Sequence, residues 1–285
     1  ILLYLVFGVI VIKQSNKLSK PKWLKTDIPR GKRYFDVKNT IASRKLVTVC
    51  EEAKCPNISK CWNVDTATFM LLGDTCTRAC RFCHVKTAAT GVLDPQEGEK
   101  IADSCKSMGV KYVVLTMVDR DDLEDGGAEH ICKSIKIIQQ VNKDISVEVL
   151  AGDFSGQLLP LKNIVDCSLQ VFAHNIETVK RLTPRVRDNR ASYQQSLEVL
   201  RVAKRECKNK IYTKTSLMLG FDEKRSEVLE TLEDILKQDV DIITFGQYMQ
   251  PTKKHLSVKR WVHPEEFKEL EAIAYKMGFK GVVSG

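Results

Sequence analysis

From residue 69 onward, short apolar runs alternate with longer amphipathic stretches. The runs that we predict as strands are Phe69–Leu72, Tyr112–Thr116, Ser146–Leu150, Cys167–Phe172, Tyr212–Met218, Ile242–Phe245 and Gly281–Val283. Because these runs are almost continuously apolar, they suit strands that are buried on both faces, as in parallel sheets. The stretches between them predict helices at Glu97–Met108, Ala128–Val141, Tyr193–Cys207 and Ser226–Gln238, and a last helix that begins at Pro264.

Helix and strand alternate about six times, which predicts an α/β fold with a parallel sheet. Periodicity alone does not choose between a barrel and a doubly wound sheet. The chain has 285 residues, 43% of them hydrophobic, and can bury one sizeable core. Residues 26–68 lack the alternation, so we expect them to form an extension that packs on a body made of residues 69–285.

The first twelve residues are almost wholly apolar, and four lysines follow between positions 13 and 22. Spanning a bilayer takes roughly 20 apolar residues, so we expect no stable membrane span. The run resembles the hydrophobic part of a signal segment. We therefore interpret residues 1–25 as the remnant of a targeting leader; a buried strand or short helix and a membrane anchor are the alternatives.

The formal net charge of +9 is concentrated at the amino end, because residues 1–60 hold 13 basic and four acidic side chains and the remainder holds 32 of each. An enzyme that acts on nucleic acid is expected to carry a basic patch on its folded body. The distribution therefore argues against a nucleic-acid partner. We interpret the basic arm as a solvated or targeting segment, or else as a docking surface for an acidic protein.

Six of the ten cysteines lie between positions 50 and 83. A chain of this size does not need disulfides to fold, and such a density of cysteine indicates metal in a reducing compartment. Cys76, Cys80 and Cys83 form a C-x3-C-x2-C pattern directly after the first predicted strand, where the βα loops of a barrel collect ligands. Three thiolates can hold three irons of a cubane cluster and leave the fourth iron open. A structural zinc site and simple buried cysteines are the alternatives.

A second trio precedes the first, in a C-x4-C-x5-C pattern made by Cys50, Cys55 and Cys61. This spacing alone is a moderate indication of a metal site, and its position just ahead of the first trio strengthens it. The other four cysteines fall in helix or strand patterns and are predicted to be buried small hydrophobic residues; they are Cys105, Cys132, Cys167 and Cys207.

The first trio, with Phe82 before its last cysteine, resembles the signature loop of radical S-adenosylmethionine (SAM) enzymes. Longer stretches resemble the lipoyl synthase family, and this likeness runs from about residue 29 to the end. It separates the chain from other radical SAM enzymes that insert sulfur, such as biotin synthases. The segments that carry it are 49–57, Cys61-Trp62, 73–83, 118–128, 172–178, 186–191 and 245–256.

The resemblance implies a partial (β/α)6 TIM-type radical SAM barrel with an amino-terminal cysteine-rich extension. It implies two 4Fe–4S clusters and SAM as cofactors. Cys76, Cys80 and Cys83 would hold the SAM-cleaving cluster, whereas Cys50, Cys55 and Cys61 would hold an auxiliary cluster that donates sulfur. The implied reaction is that of a radical SAM sulfurtransferase, which inserts two sulfur atoms at C6 and C8 of an octanoyl chain on a lysine of a lipoyl carrier domain.

The partners that the resemblance implies are octanoylated carrier domains, namely the E2 subunit of 2-oxoacid dehydrogenases and the glycine cleavage H protein. An electron donor such as ferredoxin or flavodoxin and iron–sulfur carrier proteins are also implied. The family works in bacterial cytosol, mitochondria and plastids. The hydrophobic and then lysine-rich start favours an organelle reached through a signal segment, so we expect an apicoplast-like plastid first and a mitochondrion second.

Candidate SAM contacts follow the second and fourth predicted strands, at the face where SAM is expected. They are Asp119, Asp125, Gly126, Gly127, His174 and Asn175. The alternatives are a solvated helix start with a glycine hinge and, for His174, a purely structural hydrogen bond. Further candidates with equally ordinary alternatives are Arg187 and Arg190 for the SAM carboxylate or partner acids, and Gln247, Tyr248, Lys254 and His255 for a substrate channel.

One departure from the family pattern concerns the auxiliary cluster, which the family closes with a serine from a carboxyl-terminal Arg-Ser-Ser motif. This sequence ends at Ser284-Gly285, where that segment would begin. Ser284 matches the residue ahead of the motif, so we do not assign it as a ligand. We expect either that the sequence is truncated or that another group completes the cluster.

Overall fold

The computed structural model describes residues 5–6, 9–10, 19–24, 31–44, 46–52, 58–62, 66–207 and 211–285. Its strands are β1 (Leu5–Val6), β2 (Val9–Ile10), β3 (Thr66–Leu71), β4 (Thr75–Cys76), β5 (Lys86–Thr87), β6 (Tyr112–Met117), β7 (Ser146–Leu150), β8 (Val171–Ala173), β9 (Tyr212–Leu219), β10 (Ile242–Gln247) and β11 (Gly281–Ser284). Its helices are α1 (Lys32–Ser43), α2 (Val49–Glu52), α3 (Ile58–Trp62), α4 (Glu97–Met108), α5 (Ala128–Val141), α6 (Leu158–Val165), α7 (Thr183–Val186), α8 (Tyr193–Glu206), α9 (Arg225–Leu236) and α10 (Pro264–Met277), with a 3₁₀ turn at Phe154–Gly156.

Within the described residues, seven strands form one parallel sheet in the order β11-β10-β9-β8-β7-β6-β3. This order follows the chain without a reversal, whereas a doubly wound sheet reverses direction at its centre. Six β/α units are completed by α4, α5, α6, α8, α9 and α10, and β11 adds a seventh strand at one edge. The predicted partial barrel is confirmed, and it leaves β3 and β11 at opposite edges of the sheet.

Most predicted elements agree with the structure within a few residues, but the strand predicted at Cys167–Phe172 begins only at Val171. Residues 167–169 form a turn instead, in which the amide of Leu169 donates to the backbone oxygen of Cys167 at 2.8 Å. The turn is needed because α6 ends directly before it. We did not predict α6, whose sequence contains Pro160. Pro160 lies in the first turn of the helix, where a backbone N–H has no intrahelical partner to lose.

The described part of the amino-terminal extension packs on the barrel. The amide of Met70 in β3 donates to the backbone oxygen of Val47 at 2.9 Å, and Arg44 donates to the hydroxyl of Ser104 on α4 at 2.8 Å. In the apolar run at the amino end, β1 and β2 pair in antiparallel fashion. None of the helices in the described ranges is both long and apolar enough to cross a membrane.

Gly127, the residue before α5, has φ of 88° and lies against Leu72, which follows β3. A Cβ at this position would stand 2.5 Å from a methyl carbon of Leu72. We predict that Gly127→Ala lowers the free energy of unfolding by about 2–4 kcal/mol, through left-handed strain and overpacking together. Urea unfolding measures the change. Gly109→Ala is the matched control, because Gly109 has φ of 66° with no atom within 4 Å of such a Cβ; it should lose only the strain of about 1–2 kcal/mol. Equal losses in both variants would refute the contact with Leu72.

Candidate active site

The loop of residues 76–83 leaves the carboxyl end of β3 and is fixed by the neighbouring βα loops. The amide of Thr77 donates to the backbone oxygen of Asp119 at 2.9 Å, just after β6. The amide of Arg81 donates to the backbone oxygen of Val186 at 2.9 Å, at the end of α7. Both partners lie at the end of the barrel where ligands are expected. The barrel itself therefore sets the shape of this loop.

Two of the three cysteines of the loop accept a hydrogen bond from a backbone amide at their sulfur atom. These bonds run from Arg78 to Cys76 at 3.4 Å and from Asp188 to Cys80 at 3.3 Å. Amide hydrogen bonds to sulfur are a regular feature of iron–sulfur sites, where they tune the reduction potential. The loop thus fits a cluster bound through these sulfurs.

Burial raises the pKa of all three thiols, to about 12 for Cys80 and to about 11 for Cys83. The negative charge of Asp119 also raises the pKa of each of them. Thiols in these surroundings keep their protons near neutral pH unless a metal cation replaces the proton. The site therefore offers sulfur ligands to iron and is not arranged to activate a cysteine as a nucleophile.

Among the described side chains, no three His, Cys, Asp or Glu residues come close enough together to hold one metal ion. A cubane cluster makes a different demand, because each thiolate binds a separate iron and the ligands spread around the cluster. The spacing of the three cysteines, together with the amides that donate to two of their sulfurs, is therefore the better guide to this loop.

The second cysteine trio is described only in part. Cys50 is buried in α2, whereas Cys55 and the side chain of Cys61 lie outside the described residues. His84 links α2 to the first trio, because its Nδ1 hydrogen-bonds to the backbone oxygen of Glu52 at 3.0 Å. The helix that carries Cys50 is thus held beside the loop of the first trio.

Arg78, inside the loop, is only 3% exposed and joins acidic residues from two other βα loops. Its Nη2 lies 2.7 Å from both Asp121 and Asp153, and its Nη1 lies 3.7 Å from Asp119. Although burial raises the pKa of Asp121, hydrogen bonds from Arg78 and Ser155 outweigh it and lower that pKa to about 2. Burial raises the pKa of Asp119 to about 6, and the charge of Arg78, 3.7 Å away, opposes this rise only in part.

Asp188 and Arg190 hold the same loop from the side of α7. The carboxylate of Asp188 accepts a hydrogen bond from the backbone amide of Ala79 at 2.8 Å. Arg190 donates to the backbone oxygen of Thr77 at 2.7 Å and forms ion pairs with Asp188 and Asp121. The guanidinium of Arg190 is therefore engaged in supporting the loop, which favours its structural interpretation over a contact with the SAM carboxylate.

The candidates after β6 fall into two groups. Asp119 and Gly126 line one small pocket together with Phe154. Asp125 stabilises the turn that leads into α5. Its two carboxylate oxygens accept hydrogen bonds from the backbone amides of Gly127 at 2.8 Å and Glu129 at 2.7 Å. Asp125 and Gly127 thus have a clear structural role, and direct contact of any of the four with SAM stays a prediction.

His174, after β8, has both ring nitrogens engaged inside the protein. Its Nδ1 donates to the backbone oxygen of Ala151, and its Nε2 accepts from the hydroxyl of Ser196, each at 2.9 Å. The backbone oxygen can only accept, which assigns the proton to Nδ1. Arg187 donates to the same hydroxyl at 2.6 Å. These contacts favour the structural alternative for His174.

Glu177 follows Asn175 by two positions in the chain, and our sequence analysis did not include it in the site. Burial raises the pKa of the Glu177 carboxyl, and the charge of Arg187 and the neighbouring Asn175 side chain oppose this effect. The negative charge of Glu177 raises the pKa of both Cys80 and Cys83, so the Glu177 carboxylate lies beside the loop. Its φ of 70° is rare for a residue with a side chain.

Two family models match the chain. The model of the radical SAM superfamily matches residues 70–235, and that of the N-terminal domain of lipoyl synthase matches residues 7–55. The mitochondrial lipoyl synthase of Clavispora lusitaniae is 52% identical over 278 residues, which cover 96% of this chain and 71% of that protein. The chain belongs to the lipoyl synthase family. The lipoyl synthases of Halorhodospira halophila and Schizosaccharomyces pombe are each 51% identical, over 93% of this chain and over 80% and 73% of theirs.

Solved structures of other radical SAM enzymes share the fold of this chain. The FeFe-hydrogenase maturase HydG from Carboxydothermus hydrogenoformans superposes with a TM-score of 0.62 and 12% identity, covering 87% of this chain and 65% of that one. Methylornithine synthase gives a TM-score of 0.58 and 13% identity, over 76% and 70% of the two chains. Because it belongs to the lipoyl synthase family, the chain is a radical SAM sulfurtransferase that uses SAM and iron–sulfur cofactors and acts on lipoyl carrier domains.

The expected organellar location agrees with the mitochondrial names of the fungal lipoyl synthases. The plastid, which we favoured from the sequence, gains no support from these relatives. The match to the amino-terminal domain model starts at residue 7, inside the segment that we interpreted as a leader remnant.

The substrate-channel candidates of this lipoyl synthase hold the segment after β10 in place. The side-chain oxygen of Gln247 accepts a hydrogen bond from the backbone amide of Val262 at 2.8 Å. The Tyr248 hydroxyl donates to the backbone oxygen of Leu256 at 2.8 Å. His255 Nε2 hydrogen-bonds to the backbone oxygen of Cys83 at 2.8 Å, which ties that segment to the cluster loop. A role of these residues and of Lys254 in a substrate channel stays a prediction.

The buried imidazole of His174 should make the stability of the enzyme depend on pH. Burial, with the charge of Arg187, lowers its pKa from 6.5 to about 4. The unfolded chain therefore binds a proton that the folded chain does not, and stability falls as pH drops from 6.5 towards 4. Urea unfolding at about pH 7.5 and about pH 5.5 should show that wild type loses about 1.4 kcal/mol more than His174→Gln. Identical pH dependence of the two proteins would contradict this.

Proposed function

We propose that this chain inserts two sulfur atoms, at C6 and C8, into an octanoyl chain carried on a lysine of a lipoyl carrier domain. The observation that carries the proposal is the loop of residues 76–83, which holds three half-buried cysteines and in which the sulfurs of Cys76 and Cys80 accept hydrogen bonds from backbone amides. Family membership adds the substrate class, because the relatives are named lipoyl synthases.

Cys76, Cys80 and Cys83 would hold a 4Fe–4S cluster with one iron left for SAM, and Cys50, Cys55 and Cys61 would hold a second. When bound, the first cluster supplies the electron that cleaves SAM to a 5′-deoxyadenosyl radical, and the second supplies the two sulfur atoms. The count of two clusters rests on the two sequence patterns and on the position of Cys50 in α2, beside the first loop.

The side chains around the loop orient SAM and keep water from the reacting carbon. Asp119 and Glu177 present carboxylates beside the three sulfurs, and they suit the amino group and hydroxyls of SAM. We place Asn175 with them, because it positions Glu177. His174, Asp125, Gly126 and Gly127 act indirectly, by holding the strand and loop ends in place.

Arg78 ties together the βα loops on which this site depends. It joins the cluster loop to Asp121 after β6 and to Asp153 after β7, so three loops move as one body. Such rigidity keeps the reacting carbon in contact with the radical. A displacement of about 1 Å would break that contact and lower the rate.

We place the enzyme in mitochondria, in keeping with the names of its fungal relatives. Residues 1–25 are proposed as a targeting remnant, residues 26–68 as the extension and residues 69–285 as the barrel, although β3 already begins at Thr66. The proposed partners are octanoylated E2 subunits and H protein, a ferredoxin or flavodoxin as electron donor, and iron–sulfur carrier proteins. The fourth ligand of the second cluster is left open.

Anaerobic incubation of the reconstituted enzyme with SAM, a reductant and an octanoylated carrier peptide tests the proposal. Mass spectrometry should show a peptide that has gained two sulfur atoms, together with release of 5′-deoxyadenosine. The same peptide without the octanoyl group is the substrate control and should stay unchanged.

The Cys50→Ala variant separates the roles of the two trios. It should still release 5′-deoxyadenosine, because the first trio is intact, but it should leave the octanoyl peptide without added sulfur. Sulfur insertion by Cys50→Ala would refute the second cluster as donor. Cleavage of SAM by the wild type without any change in the octanoyl peptide would indicate a radical SAM enzyme with another substrate.

A further inference from the structure

Two of the four cysteines outside the trios lie together between neighbouring outer helices. Cys132 is in the second turn of α5, and Cys167 lies in the turn that connects α6 to β8. Both thiols donate to the same acceptor, the backbone oxygen of Asn163, each with a sulfur–oxygen distance of 3.3 Å. A shared acceptor limits the separation of the two sulfurs to at most twice that distance.

The pair differs from the buried apolar cysteines that the sequence led us to expect. Cys167 is 7% exposed and Cys105 is fully buried, as predicted, but Cys132 is only half-buried. A small molecule can therefore reach the Cys132 sulfur, and the Cys167 sulfur lies close to it on the same acceptor oxygen. Accessibility of one partner and contact with the second are the requirements for thiol–disulfide exchange.

The electrostatic surroundings favour loss of one proton from the pair. The neighbouring Cys132 side chain lowers the pKa of Cys167, and the charge of Lys136, one turn further along α5, lowers it as well. The interaction with Cys167, together with burial, raises the pKa of Cys132. The thiolate therefore forms first at Cys167, and the Cys132 thiol becomes the nucleophile for exchange by passing its proton to that sulfur.

We propose that Cys132 and Cys167 are a redox-active dithiol that closes to an intramolecular disulfide by exchange with a small disulfide such as glutathione disulfide. The Cys132 sulfur attacks one sulfur of glutathione disulfide, whose S–S bond breaks and releases one glutathione thiolate. The Cys167 sulfur then attacks the Cys132 sulfur of the mixed disulfide and releases the second. Two cysteine thiols are oxidised, glutathione disulfide is reduced to two thiols, and the cysteine protons pass to them.

This site is separate from the clusters. Neither cysteine belongs to the two trios, and the pair lies in the helix layer outside the sheet rather than at the carboxyl ends of its strands. The disulfide would join α5 to the loop that enters β8, the strand that precedes His174 and Asn175. The dithiol can therefore respond to the thiol redox state while the iron–sulfur ligands stay in place.

The test uses the anaerobically reconstituted holoenzyme in glutathione buffers of graded oxidation, followed by acid quench, alkylation, digestion and mass spectrometry. We expect loss of two alkyl labels per chain and a linked peptide that joins Cys132 to Cys167, with unchanged iron content. Treatment with a thiol reductant should restore both labels. In the Cys167→Ser variant, glutathione should remain on Cys132, because no second thiol releases it.

Cys207→Ser is the matched control, since Cys207 is another half-buried cysteine of the helix layer. It should form the same linked peptide as wild type. The proposal is overturned if both cysteines stay alkylated in the most oxidising buffer. It is equally overturned if wild type accumulates the glutathione adduct at Cys132 or links Cys167 to Cys207 instead. The wild-type result decides alone if a variant fails to fold.

Discussion

In the Cys80→Ala variant, release of 5′-deoxyadenosine from SAM is expected to fall below detection. The substitution removes one of three thiolates that each bind a separate iron, and no other sulfur from the described loops accepts the amide of Asp188. A cluster held by only two protein ligands is not retained in defined form. Liquid chromatography of the anaerobic reaction with SAM and reductant measures the product. The iron content should fall from about eight to about four atoms per chain.

Cys105→Ala is the matched control for this experiment. Cys105 is fully buried on α4 and belongs to neither trio. The same change of side chain there should leave the iron content and SAM cleavage at the wild-type level, at a small cost in stability. If Cys80→Ala cleaved SAM as well as Cys105→Ala does, the assignment of residues 76–83 as the cluster loop would be wrong.

The barrel was predictable because its strands are buried on both faces and leave continuous apolar runs. The structure adds the strand order, which decides for a barrel over a doubly wound sheet and which periodicity cannot supply. One of the elements that we did not predict, α6, carries Pro160 within an apolar stretch. Nothing local distinguishes a proline that starts a helix from one that ends a strand, and the packing of α6 against α5 settles the matter in the folded protein.

The cysteine ligands of the first cluster were predictable, because their spacing lies within one loop. Their supports were not, since they come from distant parts of the chain. Asp153 follows β7 and Asp188 follows α7, and only the closing of the barrel brings them to Arg78 and to the amide of Ala79. The rule that βα loops meet at one end of a barrel would have grouped Asp153 with Asp119 and Asp121, had we applied it to every predicted strand end.

Single residues are where the sequence-based interpretation was weakest. In a sequence, a histidine that follows a strand looks the same whether it binds a cofactor or forms hydrogen bonds that stabilise a loop. The structure shows that both nitrogens of His174 are engaged, by Ala151 and Ser196. Glu177 was overlooked because its left-handed backbone, which turns it towards the cluster loop, leaves no trace in the local pattern.

Arg78→Met should destabilise the protein more than Gly127→Ala or His174→Gln does. It removes the buried cation while leaving Asp153 fully buried and Asp121 partly buried, so their charges lose their partner. Breaking a buried ion pair by removing one side typically costs about 3–5 kcal/mol. Urea unfolding, followed by tryptophan fluorescence, measures the loss in free energy. The pKa of Asp153, which Arg78 lowers against the effect of burial, should rise in the variant.

The same substitution at Arg225 gives the matched control. Arg225 pairs with Glu269 at 2.8 Å, but both side chains are more than half exposed, and such pairs contribute less than about 1 kcal/mol. Adding Asp153→Asn to Arg78→Met should recover part of the lost stability, because a neutral amide does not need the missing cation. If Arg78→Met cost no more than Arg225→Met, the carboxylates would have to be stabilised by water or by protonation. The three βα loops would then be held together by something other than this guanidinium.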